Sequence, residues 1–69
     1  MNVYREILKL LDEWDVSESV IYEIFGLLDD YTCNSIHNEI FDLLYEFLIS
    51  KNEALLGNIR QICINNVGN

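Results

Sequence analysis

Proline is absent from this chain, glycine occurs three times in its 69 residues, and only four side chains are basic. Each shortage excludes something. Without proline and with little glycine the chain lacks the usual helix breakers, and a 51% hydrophobic content argues against disorder. All four cations (Arg5, Lys9, Lys51 and Arg60) lie outside the stretch from Leu10 to Ser50, which carries ten carboxylates. An anionic body of this kind opposes the phosphate contacts on which nucleic-acid affinity rests. Direct nucleic-acid binding and attachment to a membrane surface are therefore both disfavoured. No apolar run approaches the roughly 18 residues that span a bilayer, and Arg5, Glu6 and Lys9 interrupt the N-terminal segment before a signal-peptide core can form. Two cysteines fall short of the roughly four to eight of a small disulfide scaffold, so a reducing, cytoplasmic setting is expected. Abundant Ile and Asn beside a single Ala point to an A+T-rich source such as a phage or mobile element.

What the chain does have is large and aliphatic: nine Ile, ten Leu and four Val, with three Phe, four Tyr and Trp14. A domain of this length hides only about 60% of the surface its unfolded form exposes, so burial against a second copy or a partner is the natural outlet. Apolar residues recur at steps of three and four, the period of an amphipathic helix, and strand-like alternation is missing. The pattern predicts helices over about 3–14, 18–30, 36–49 and 53–64, with Asn2, Asp15 or Ser17, and Asn34 or Ser35 as caps. Ser50-Lys51-Asn52-Glu53 fits a capping box that would open the fourth helix, and one unbroken helix from Ile36 to Ile64 is the competing reading. The expectation is one all-α domain over residues 1–69, a small antiparallel three- or four-helix bundle that completes its core by forming a homodimer.

Glu39, Asp42 and Glu46, spaced i, i+3 and i+7, share one ridge of the third helix with no cation at helical spacing, and Glu23 and Asp30 align on the second helix. A merely soluble face mixes both signs of charge, so the one-sided ridge reads as an electronegative docking surface for a basic protein. Tyr45 and Tyr22 are its candidate aromatic anchors. Ordinary solvated faces are the alternative. Gly26 sits inside a helical pattern at a cost of about 1 kcal/mol relative to Ala, which suggests close approach of another helix. Cys33 and His37 are four residues apart with Glu39 nearby, but without a second pair they fall short of a zinc pattern, and His37 reads as a capped-turn histidine. Cys63, between Ile62 and Ile64, reads as a small buried hydrophobe. A calcium loop counted from Asp29 or Asp30 fails, because its sixth position is Asn34 or Ser35 and its twelfth is Ile40 or Phe41. No metal is expected.

Asn34-Ser35-Ile36, opening a helix in a small acidic chain, resembles the phosphopantetheine site of the acyl carrier proteins, in which an Asp-Ser-Leu serine carries the prosthetic group. The resemblance implies modification of Ser35. It covers three residues, has Asn34 where the family has an acid, and places a predicted helix where the family has a long loop. His37, the one imidazole, has no nucleophile and orienting carboxylate at a supporting spacing, and no Gly-rich phosphate loop exists. The sequence thus points to a non-enzymatic, cofactor-free module that binds and inhibits or modulates a basic protein. Imitation of nucleic-acid charge, as in anti-defence proteins, is the sharper version. An adaptor, chaperone or immunity protein using its apolar face is the alternative, and an acyl-carrier-like protein a remote one.

Overall fold

The computed structural model describes residues 2–12, 16–29 and 35–68. Among them are four helices and no strand: α1 (Val3–Leu11), α2 (Glu18–Asp29), α3 (Ser35–Ser50) and α4 (Ala54–Asn66). Trp14, Asp15, Asp30, Tyr31, Cys33 and Asn34, which carried several of the sequence expectations, lie outside the described residues.

Each helix turns one aliphatic stripe inward. Val3, Ile7 and Leu11 from α1, Val20, Ile21, Ile24 and Leu28 from α2, Ile40, Leu44 and Phe47 from α3, and Leu55, Ile59 and Cys63 from α4 close a single core. In a ring of four, α1 packs on α2 and α4, α3 packs on α2 and α4, and α1 and α3 stand diagonally. His37 joins that diagonal. Its ring is buried and stands edge-on to Tyr4 at 5.8 Å, so the capped-turn expectation is corrected: the first turn of α3 rolls this imidazole into the core.

Polar groups at the helix ends set the directions. Asn2 caps α1 as expected, its side-chain oxygen accepting from the backbone N–H groups of Tyr4 (3.0 Å) and Arg5 (3.3 Å). The Asn2 amide also donates to the carbonyl of Val67 at 2.8 Å, tying the start of α1 to the end of α4. Arg60 of α4 donates to the carbonyl of Leu11 at 3.1 Å and pairs with Asp12. A cation at the negative end of a helix dipole is favourable there, and α1 stops at Leu11 rather than at residue 14. Lys51, just past α3, pairs with Glu18 at the start of α2 at 3.3 Å, so these two helices run antiparallel.

Helices α3 and α4 are separate, as the pattern predicted and against the unbroken alternative, because Lys51 adopts a left-handed backbone (φ 59°) while its N–H closes the last turn on the Phe47 carbonyl at 2.8 Å. The capping box does not form: Glu53 makes no side-chain cap, and Asn52 instead accepts from the Ala54 N–H at 3.1 Å while Ser50 accepts from Asn52 at 3.2 Å. Asparagine reaches the first amide of the helix from where it stands, and the αL residue turns Ser50 away from that task. Gly26 is exposed, and a methyl group there would meet no atom within 4 Å, so no helix of the same chain approaches it closely.

Two measurements check this account. Gly57 of α4 is likewise exposed with nothing within 4 Å, so Gly57→Ala should stabilise the fold by about 1 kcal/mol. That raises the melting midpoint by roughly 4–8 °C for a domain of this size. An unchanged or lower midpoint by circular dichroism contradicts it. At Lys51 a side chain strains the left-handed conformation, so Lys51→Gly should exceed Lys51→Ala in stability by about 1 kcal/mol. Both variants lack the Glu18 pair, so their difference isolates the backbone term, and equal denaturant midpoints would disprove it.

Candidate partner-binding groove

Because Ile40, Leu44 and Phe47 face the core, the helical period sends the remaining side chains of α3 to two different flanks. On one flank, Glu39, Asp42 and Leu43 meet Asn58, Gln61 and Ile62 of α4 around a groove of about 360 Å³. Glu46, one turn beyond Asp42, continues the acidic ridge into solvent. On the other flank, Phe41 and Tyr45 turn toward α2. There Phe25 stacks on Phe41 (5.5 Å between centroids, 14° between planes) and leans on Tyr45 (5.0 Å) and Tyr22 (6.2 Å). Tyr45 is 58% exposed, open to solvent at the edge of this cluster.

The residues singled out from sequence therefore do not form one patch. Glu39, Asp42 and Glu46 belong to the α3–α4 side. Glu23 lies across the molecule in a second groove of about 320 Å³ with Glu6, Leu10 and Leu27. Tyr22 and Tyr45 share the α2–α3 side, and Asp30 is outside the described residues.

Sequence reasoning missed the amide wall. Asn58 and Gln61 stand one helical turn apart, and Gln61 donates to Asn65 at 3.0 Å, so the flank of α4 facing the acids is polar and uncharged. The signal was legible as Asn58, Gln61 and Asn65 at i, i+3 and i+7 on a helix with one cation, Arg60.

The ion pairs among the described residues are Lys9–Glu6 (3.5 Å), Lys51–Glu18 (3.3 Å) and Arg60–Asp12. None reaches Glu39, Asp42 or Glu46. The groove thus offers two carboxylates without a counter-ion, carboxamides that donate or accept, and a floor of Leu43 and Ile62. That combination suits a lysine or arginine side chain, whose methylene stem lies on hydrocarbon while its head meets the carboxylates. Among the described residues no group of three or more His, Cys, Asp or Glu side chains could hold a metal ion. Ser35 is exposed at the first position of α3, and α2 is helical where the acyl carrier family has a long loop. Among the described residues no helix is long and apolar enough to cross a membrane.

Compared with known proteins, the chain matches no family model, no curated protein and no solved structure.

Cys63 is fully buried on α4, as expected, and its burial pushes the thiol up to about 11 against the opposing pull of Arg60. Tyr4 is raised as well, by burial first and by Cys63 second. In the unfolded chain the thiol titrates near 9.0, so between about pH 9 and 11 the unfolded state loses a proton that the folded state keeps. Stability from this group is complete below that window and is lost as pH rises through it. In a Cys33→Ser background, Cys63 should react with a thiol reagent only on unfolding, and Cys63→Ala should flatten the loss of stability above pH 9. Rapid labelling of the folded chain, or identical slopes, would disprove this.

Proposed function

We propose that this chain is a non-enzymatic, acidic interaction module, working as a homodimer in the cytoplasm, that binds a protein with a basic surface and inhibits or modulates it. The observation that carries the reading is the α3–α4 groove: Glu39 and Asp42 stand over Leu43 and Ile62 without a counter-ion, while the described ion pairs all lie elsewhere. With a net charge of −8, the long-range field draws a cationic partner in and the groove supplies local fit. A nucleic-acid-binding protein is the most natural target, because its own surface is built to meet negative charge. In its sharpest form the module occupies such a protein's groove, as a phage-encoded anti-defence protein would. Exposed Tyr22, Tyr45 and Ile49 favour a second reading, in which an adaptor or immunity protein offers its apolar face instead.

Salt separates the two. Immobilised chain should capture its partner from host lysate at low salt, and the triple variant E39K/D42K/E46K, folded by circular dichroism, should lose that partner. The association rate should fall about tenfold or more between roughly 20 mM and 150 mM salt. Capture by the triple variant at wild-type strength, or a rate indifferent to salt, would replace the charge-led reading with the apolar one.

A further inference from the structure

We propose that the α2–α3 face, built on Tyr22, Phe25, Gly26, Phe41 and Tyr45, is the surface on which two copies of this chain pair. The inference rests on the homodimer reading and locates its interface. Three observations carry it.

First, the aromatic cluster at this seam is left open. Tyr22 is 61% exposed and Tyr45 58%, and both lean on Phe25 of the half-buried Phe25–Phe41 stack. Two exposed tyrosines flanking stacked rings are the kind of anchor that carries interface energy.

Second, charge selects a second copy as the occupant. For a chain of net charge −8, pairing is most costly wherever carboxylates face each other. Glu39 and Asp42 are turned toward α4 and Glu23 toward α1. The ion pair described at the end of this face, Glu18 with Lys51 at 3.3 Å, neutralises itself, and the nearest groove carboxylate, Asp42, stands one turn from Tyr45 at the rim. An aromatic centre with acids only at its edge suits another copy, because like charges need not meet face to face. A standard interface takes about 800 Å² from each partner, roughly a fifth of the 4449 Å² this chain exposes, which one side of a four-cornered bundle can supply.

Third, Gly26 lies one turn from Tyr22, exposed, with nothing within 4 Å. Glycine at that point costs helix stability without serving any contact inside the chain, and it leaves room for a neighbouring backbone to come close. In a two-fold pairing the same patch serves both copies, so one small residue acts twice.

Sedimentation equilibrium of the purified chain over a range of concentrations tests this. The wild-type chain should be a dimer whose dissociation constant falls as salt is added, because screening relieves the repulsion between two anions. The double variant Y22A/Y45A should raise that constant about 30-fold or more. Gly26→Gln, which favours the helix, should also raise it, whereas Gly57→Gln and E39K/D42K/E46K should not. A dimer equally tight in Y22A/Y45A or in Gly26→Gln overturns the assignment of this face and leaves pairing itself intact. A monomer at concentrations on the order of 1 mM overturns both.

Discussion

Burial of Ile40, Leu44 and Phe47 fixes the rotation of α3 about its own axis, and that rotation decides what the molecule shows to the outside. With a period of 3.6 residues, one inward stripe leaves two flanks, and neither can be moved without moving the other. Glu39 and Asp42 face the amides of α4 because Phe41 and Tyr45 face the rings of α2. A substitution that rotated α3 would disturb the acidic groove and the aromatic seam together, although no residue belongs to both.

The second constraint is the scarcity of cations. Lys9 pairs within α1, Lys51 ties the end of α3 to the start of α2, and Arg60 closes the end of α1 from α4. Exposed pairs of this kind contribute little stability individually, yet each sits at or near a helix end, where position matters most. Their placement leaves the carboxylates of the groove to the solvent. The one-sided charge read from composition is thus sharpened by the fold, which draws positive charge away from Glu39 and Asp42.

Much of the architecture was legible in the sequence, because apolar residues at three- and four-residue steps specify helices directly and Asn2 is a strong cap. The end of α1 was not legible, since the group that helps stop it at Leu11 is Arg60, 49 residues away. The break after α3 was read from the sequence but its device was not, since it depends on a lysine adopting a backbone conformation that local rules reserve for glycine or asparagine. The site was half legible. The acidic ridge followed from spacing alone, while the amide wall opposite it depended on which flank α4 turns inward, and the separation of Tyr22 and Tyr45 from the acids depended on which neighbours α3 has.

The three-residue turn of Lys51, Asn52 and Glu53 has a consequence for how the groove comes into being. Its two walls are contributed by helices adjacent along the chain, so the entropy lost in bringing them together is that of a very short loop. Structures assembled from such near neighbours close quickly, ahead of those that wait for distant segments to meet. The acidic cleft is in this sense a hairpin property, available as soon as α3 and α4 fold back on each other.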